Sequence, residues 1–179
     1  INGCTNFMLS SMAAGGKSYA DALAEASELG YAEAGPTLDV GGFDARSKLR
    51  IMMKLAFGVD VVEDEIPCRG ITDVTEADFE YANFIGGTVK LLGIAKIDDK
   101  DASRISAFVS PCFVKSESTL SNINGATNAV QIASTSLQSS TFVGQGAGRF
   151  PTANSCVSDI LAVCQGATSV PFPKSTELK

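Results

Sequence analysis

The order of hydrophobic patterns along this chain constrains its fold more than any other feature. Helical periodicity dominates the first half, whereas runs of β-branched and aliphatic residues dominate the second. The patterns predict helices over 1–16, 18–30, 44–57 and 75–84, strands over 88–97, 105–114, 128–134 and 141–143, and a last helix from 151. Helices followed by strands predict an α+β fold, with a mixed or antiparallel sheet and helices packed on one face. At 179 residues, the chain is most simply one domain.

The charge balance argues against several classes of partner. A net charge of −6 and a pI near 4.6 disfavour nucleic acid and anionic membrane surfaces as binding partners. Lys54 interrupts the most apolar stretch, so no apolar run reaches the length of a membrane span. We therefore expect a small molecule or another protein chain as the partner.

Side-chain chemistry narrows the possible reactions. The five cysteines are scattered and lack C-x-x-C spacing, which indicates reduced thiols of a cytosolic-type compartment and neither a disulfide framework nor a metal site. The chain contains no histidine, which excludes Ser-His-Asp and Cys-His mechanisms within these residues. Acid–base chemistry therefore depends on lysine, aspartate, glutamate or tyrosine.

The predicted helix over 44–57 places two charged residues among apolar ones. With Arg46 at zero on a helical wheel, Arg50 and Lys54 fall at about 40° and 80° and form a solvated basic stripe. Asp44 and Lys48 fall at about 160° and 200°, on the side that should be buried. That side also holds the apolar residues Ile51, Met52 and Leu55. Buried charge must be compensated, so the pair is either a structural ion pair or part of a site.

The segment before this helix adds two carboxylates. Glu33 and Asp39 lie in a segment broken by glycines and a proline, which predicts a loop and excludes regular helix. Such a loop can fold back and place its carboxylates over the first turn of the helix. Together with Asp44, these groups would surround the Lys48 ammonium and suit a small polar substrate that carries an amine.

A second candidate stretch is the glycine-rich sequence GQGAG at 144–148. It lies between a predicted strand and the last predicted helix. Glycine lets the backbone approach a ligand closely, and a helix N-terminus favours a negative group. The spacing differs from the G-x-G-x-x-G of a dinucleotide fold, and a flexible connector would have the same composition.

The first of these stretches resembles the signature of the homoserine dehydrogenases, including its G-x-D-x-x-x-K ending. The matching residues are Ala26, Gly30, Tyr31, Ala32, Pro36, Asp39, Val40, Gly42, Asp44 and Lys48. Gly35 departs from the family pattern, which usually has Asp, Asn or Ser before the proline. We expect this change to affect the turn of the loop and not its chemistry.

The resemblance extends from Asn2 to Asp159. Near the start, Asn2, Gly3 and Asn6 match an N-G-T-x-N motif whose backbone and threonine line the substrate site, and Cys4 replaces the threonine. Near the end, G-x-G-A-G followed by P-T-A is similar to the family's loop beside the cofactor. Its matching residues are Gly144, Gly146, Ala147, Gly148, Pro151, Thr152 and Ala153.

The resemblance implies reversible reduction of aspartate 4-semialdehyde to L-homoserine with NADH or NADPH, in the biosynthesis of threonine, methionine and isoleucine. Lys48 would protonate the carbonyl oxygen, and Asp44 would orient Lys48. The substrate-binding residues would be Gly3, Cys4, Tyr31, Glu33 and Asp39, with the two carboxylates on the substrate ammonium. The nucleotide would lie beside Gly144, Gly146, Ala147, Gly148 and Thr152.

Family members also have a Rossmann domain with the glycine fingerprint and a loop for a monovalent cation. These 179 residues contain neither, so the resemblance implies that 1–179 form the substrate-binding and dimerisation domain of a homodimer and are inactive alone. A bacterial-type cytosol and a plastid are both compatible with the sequence. Two alternatives stay open: a non-catalytic binding and dimerisation module, and a dehydrogenase for another amino-acid semialdehyde.

Overall fold

The computed structural model describes residues 1–32, 35–98, 100–101 and 104–167. The helices of the first half are α1 (Gly3–Gly15), α2 (Tyr19–Glu28), α3 (Thr37–Val40), α4 (Phe43–Phe57) and α5 (Glu76–Phe84). They are followed by β1 (Gly87–Ile97), β2 (Ile105–Lys115), β3 (Thr127–Ser134), β4 (Gln138–Gln145) and α6 (Arg149–Cys164). Short 3-10 turns lie at Glu63–Glu65 and Thr119–Asn122. The predicted α+β class is confirmed.

Side-chain caps and glycines define the ends of the helices. The Asn2 side chain accepts a backbone N–H at the start of α1, and Ser18 does the same for α2. Thr75 and Asp78 form a reciprocal capping box that begins α5. Gly58 ends α4 with φ of 70°, a left-handed conformation that favours glycine. These local signals explain why the predicted helix positions are confirmed.

The strands form two separate antiparallel hairpins, β1 with β2 and β3 with β4. Strand β4 covers Gln138–Gln145, whereas the sequence predicts only 141–143 as strand. Residues 138–140 are two serines and a glutamine, which have low strand propensity. They are extended because they pair with 132–134 across the hairpin.

Two clusters of buried side chains hold the helices to the first hairpin. The first joins α1 and α2 and contains Cys4, Met8, Leu9, Met12, Ala22 and Ala26 among its members. The second joins α4 to β2 and includes Ala45, Leu49, Met53 and Val109. Burying a large apolar side chain contributes roughly 1.5–3 kcal/mol, so these clusters fix the positions of α1 and α4.

The buried face of α4 differs from the predicted one. Ile51 and Leu55 are 53% and 55% exposed, although the wheel places them on the buried side. Ala45, Leu49 and Met53 are buried instead and fall at about 260–340° on the same wheel. The prediction was wrong because it assumed that the side of α4 with apolar residues beside Asp44 and Lys48 is the buried one. Tertiary packing leaves that side near the surface.

The basic stripe of α4 is also less solvated than predicted. The Arg46 side chain is 15% exposed and lies near the carboxylates of residues 63–64. Asp60 accepts hydrogen bonds from Arg50 and Lys54 at 2.8–3.2 Å. The segment after α4 thus folds back along this stripe and neutralises it.

The second hairpin and α6 leave many apolar side chains exposed. They include Ile132, Phe142, Val143, Phe150, Ile160 and Val163. Within α6 no residue is buried. Over the described ranges, no helix is both long enough and apolar enough to cross a membrane.

Candidate active site

Asn2 links the two aspartates that the sequence predicts for the site. Its Nδ2 donates to Asp39 Oδ1 at 2.6 Å and to Asp44 Oδ2 at 2.8 Å. Its Oδ1 caps α1 by accepting the Thr5 N–H at 2.8 Å. Asn2 is buried, so its amide has few alternative orientations. The start of α1 therefore holds both carboxylates in place.

Lys48 joins this group through Asp44. Lys48 Nζ lies 2.7 Å from Asp44 Oδ2 and also donates to the Ile1 carbonyl at 3.2 Å. The two side chains are 48% and 30% exposed, so the pair lies at the surface and not in the core. A surface ion pair contributes little stability, about 0–1 kcal/mol. An exposed ammonium beside carboxylates can transfer a proton to a bound molecule.

The loop before α4 brings Asp39 to this position. Residues 37–40 form the one-turn helix α3, so the prediction that this segment contains no regular helix was wrong, because Pro36 can precede a helix whose first turn lacks the N–H bonds that proline cannot make. The Ile71 N–H donates to the Val40 carbonyl at 2.8 Å. Tyr31 is half exposed and packs against Phe7, with ring centroids 4.9 Å apart. The predicted approach of Asp39 to the first turn of α4 agrees with the structure. Glu33, the remaining predicted carboxylate, lies outside the described residues.

Gly3 and Cys4 form the first turn of α1, beside Asn2. A Cβ on Gly3 would come within 2.9 Å of the Ala126 carbonyl oxygen, so this backbone contact requires glycine. The Cys4 side chain points into the core, where burial, with a contribution from the Asp39 carboxylate, raises the pKa of its thiol to about 11. Gly3 has no side chain and the Cys4 thiol is buried, so both residues would contact a ligand through their backbone N–H groups. Such N–H groups lack partners within the helix.

The glycine-rich loop joins β4 to α6. Helix α6 begins at Arg149, two residues before the predicted start at 151, and Gly148 is its N-cap with φ of 112°. Among the described residues no side chain caps this helix, so its first N–H groups can bind a ligand. Gly144, Gly146, Ala147 and Thr152 are exposed. An open glycine backbone before an uncapped helix fits the phosphate or carboxamide of a nucleotide.

Both candidate stretches meet at α1. Thr127 pairs with Gln145 at the base of the second hairpin, and the Thr127 carbonyl accepts from Asn6 Nδ2 at 3.1 Å. The start of α1 thus contacts the aspartate loop through Asn2 and the hairpin of the glycine-rich loop through Asn6. The sequence had placed these stretches about 100 residues apart without indicating this contact.

Sequence reasoning missed two polar residues near this junction, the buried Lys90 and the half-buried Asn128. Lys90 of β1 is 5% exposed and donates to Asn6 Oδ1, to Asn124 Oδ1 and to the Ile123 carbonyl. Asn128 lies against Gly146, and its buried Oδ1 has no hydrogen-bond partner. A lysine inside a run of aliphatic strand residues was the one available signal for Lys90.

Another cavity lies away from the junction. It has a volume of about 420 Å³, is lined by residues of α4, the 3-10 turn at Glu63–Glu65 and β2, and contains none of the predicted site residues. A cavity of about 40 Å³ lies at the junction, lined by Asn2, Asn6 and Lys90 among others. We place the site at the junction because the groups that can transfer protons and bind ions lie there. Among the described residues, no group of histidine, cysteine, aspartate or glutamate side chains could hold a metal ion.

Comparison with known proteins gives a consistent result. A sequence model of the family described as homoserine dehydrogenase matches residues 1–161. The homoserine dehydrogenase of Pseudomonas aeruginosa is 42% identical over 171 residues, which are 96% of this chain and 39% of that protein. The homoserine dehydrogenase of Mycobacterium bovis is 45% identical over 163 residues, 90% of this chain and 37% of that protein. The chain thus spans about two fifths of the length of these curated relatives.

Solved structures show the same similarity. The crystal structure of a homoserine dehydrogenase from Thiobacillus denitrificans superposes with a TM-score of 0.90 at 35% identity. The superposition covers all of this chain and 43% of that one.

Proposed function

The chain belongs to the homoserine dehydrogenase family, and on that premise we propose that it supplies the substrate-binding and proton-transfer groups of an NAD(P)-dependent enzyme that interconverts L-homoserine and aspartate 4-semialdehyde. The observation that carries this proposal is the connected set Asp39, Asn2, Asp44 and Lys48. It places two carboxylates and one exposed ammonium beside a helix N-terminus. These groups complement an amino acid with a reacting oxygen on its side chain.

Lys48 is the proton donor in the direction of reduction. The nicotinamide cofactor, when bound, supplies the hydride that is added to the aldehyde carbon. As the carbon–oxygen double bond becomes a single bond, the oxygen takes a proton from Lys48 Nζ, and homoserine is formed. In the reverse direction Lys48 takes the proton from the homoserine hydroxyl. Asp44, 2.7 Å from Nζ, keeps the ammonium oriented and lies one helical turn away.

The amino-acid end of the substrate binds at the junction. Asp39 accepts hydrogen bonds from the substrate ammonium, and Glu33 is proposed for the same role on the resemblance alone. The N–H groups of Gly3 and Cys4 at the start of α1 donate to the substrate carboxylate. Tyr31 covers this end of the substrate.

The glycine-rich loop would hold part of NAD or NADP. Gly144, Gly146, Ala147, Gly148 and Thr152 provide backbone and hydroxyl groups at the uncapped start of α6. The dinucleotide fingerprint of the family is not present in 1–179. We therefore propose that residues 1–179 form the substrate-binding and dimerisation domain. Another domain would supply the rest of the nucleotide site and any site for a monovalent cation. On this proposal, 1–179 alone do not oxidise homoserine.

The second hairpin is the proposed surface for a homodimer. Cross-strand pairing places Val130 opposite Phe142, and both lie on the same face of the hairpin as Ile132. Phe142 is 61% exposed and Ile132 is 47% exposed. Such apolar side chains are commonly covered in an oligomer. Sedimentation equilibrium at micromolar protein should show a dimer, and a monomer at every concentration would contradict this assignment.

The activity is tested with the enzyme expressed from the complete coding sequence. We expect homoserine-dependent reduction of NAD or NADP, and no comparable rate with hydroxy amino acids of other chain lengths. A higher rate with another amino-acid alcohol would show that this compound, and not homoserine, is the substrate. No activity with any member of the panel would favour a non-catalytic binding and dimerisation module.

A further inference from the structure

The ammonium group of Lys90 lies inside the domain, and no carboxylate among the described residues pairs with it. It donates to the Ile123 carbonyl at 2.7 Å, to Asn124 Oδ1 at 3.0 Å and to Asn6 Oδ1 at 3.2 Å. All three acceptors are neutral, and burial lowers the pKa of Lys90 to about 8. A buried charge without a counter-ion is costly, so its presence calls for an explanation.

The contacts of Lys90 join α1 to the loop 123–127 that precedes β3. Asn6 forms the second part of this clamp, because its Oδ1 accepts from Lys90 while its Nδ2 donates to the loop. The loop carbonyls that accept from Asn6 Nδ2, at 2.9–3.1 Å, belong to Ile123, Gly125 and Thr127. An apolar residue at position 90 would leave acceptors of this clamp without a donor.

The clamped loop contacts both halves of the candidate site. Its Ala126 carbonyl lies against Gly3, at the start of α1. Thr127, the next residue, begins β3 and pairs with Gln145, the last residue of β4, from which the glycine-rich loop leads to α6. A shift of the loop 123–127 would therefore move the substrate end of the site relative to the nucleotide end.

We propose that Lys90 is a positioning residue, which holds the loop 123–127 against α1 and so fixes the separation between the substrate groups at Gly3 and Asn2 and the nucleotide groups at 144–148. Lys90 acts through Asn6 and the loop and does not contact the reacting atoms. This inference rests on the proposed function. Hydride transfer is sensitive to such a separation, because the two reacting carbons must approach each other closely.

The first test compares Lys90→Met with Lys96→Met in the enzyme expressed from the complete coding sequence. Methionine is unbranched and of similar length but carries no charge, and Lys96 is an exposed residue on the same strand. We expect Lys90→Met to lower kcat/KM for homoserine about 10–100-fold, as misplacement of reacting groups does. The measurement is made well below the melting temperature of each variant, and Lys96→Met should match the wild type.

A purely structural role predicts a different pattern. Lys90→Met would then melt at a lower temperature, while the folded enzyme would keep the wild-type kcat and KM for both homoserine and nucleotide. That pattern would overturn the proposal. A wild-type enzyme that does not oxidise homoserine would instead overturn the proposed function, and with it any role of Lys90 in the reaction.

A second variant serves if Lys90→Met does not fold. Asn124 is exposed, and Asn124→Ala removes one acceptor of the clamp without opening the core. We expect a smaller fall in kcat/KM together with faster amide hydrogen exchange at 123–127. Wild-type kinetics for this variant, with or without faster exchange, would overturn the proposal.

Discussion

The two sides of α4 carry similar charged residues but differ in how the charges are balanced. On one side three cations meet three carboxylates: Arg46, Arg50, Lys54, Asp60, Glu63 and Asp64. On the other side Lys48 pairs with Asp44, and the neutral Asn2 connects Asp44 to Asp39. The three charged side chains of this second group sum to one negative charge.

On this difference we base the proposal that one side of α4 is a structural network and the other a binding site. A balanced network satisfies its own charges and gains nothing from a ligand. A group with an excess carboxylate attracts a cation, and an amino-acid ammonium is one that fits the family's substrates. Proximity of opposite charges on a helix therefore says little about function until the charges from the neighbouring loops are included.

The largest expected effect comes from Lys48 on the unbalanced side. Lys48→Ala should lower kcat about 10²–10⁴-fold, the usual contribution of a general acid, with a smaller change in KM. Lys48→Arg should not restore the rate, because a guanidinium group keeps its proton near neutral pH. Steady-state kinetics of both variants in the complete enzyme give the measurement.

Stability provides the control for Lys48. Because the pair is half exposed, either substitution should change the free energy of unfolding by only about 0–1 kcal/mol. A near-wild-type rate for Lys48→Arg would show that Lys48 does not transfer the proton. The pair Asp44–Lys48 would then have only a structural role, like the charges on the other side of α4.

An intermediate effect is expected for Asp39. Asp39→Asn removes the excess negative charge and should raise KM for homoserine about tenfold or more, since a hydrogen bond to a charged group contributes about 1.5–3 kcal/mol. The value of kcat should change less, because Lys48 remains. Asp64→Asn is the matched control on the balanced side, where the carboxylate is 89% exposed. Equal KM values for the two variants would contradict the distinction between the two sides.

The smallest expected effect concerns Asp60 on the balanced side. Hydrogen bonds from Lys54, and then from Arg50, hold the pKa of Asp60 below its ordinary value. Its stabilising contribution is therefore present at neutral pH and is lost as the pH falls through the lowered pKa. Urea unfolding should show that the wild type loses more stability on acidification than Asp60→Asn does.

Activity at neutral pH should be unchanged in Asp60→Asn, because this carboxylate belongs to the structural network. A variant that folds normally but no longer oxidises homoserine would show that the balanced side also takes part in the reaction.

The local features of this fold could be read from the sequence because they depend on neighbouring residues. Ser18 and the Thr75–Asp78 box begin helices by capping N–H groups within the next turn, and Gly58 ends one by adopting positive φ. The i, i+4 spacing of Asp44 and Lys48 likewise makes their contact a local property of the helix. The roles of the predicted site residues stay predictions.

The tertiary structure decided which surfaces are buried and which distant residues meet. The helical wheel gave the wrong buried face for α4, because the apolar side chains of Ile51 and Leu55 are exposed. The face that is buried carries Leu49 and Met53, which pack in one cluster with Val109 of β2. The distant partners of Asn2 and Lys90 could not be read from the sequence, since they lie 33 to 84 residues away along the chain. The sequence alone determined most helices and the first hairpin, because the signals that begin and end them are local, whereas the one-turn helix α3 and residues 138–140 of β4 were not predicted. The site required the tertiary structure, because its charges come from separate segments whose approach depends on how the whole core packs.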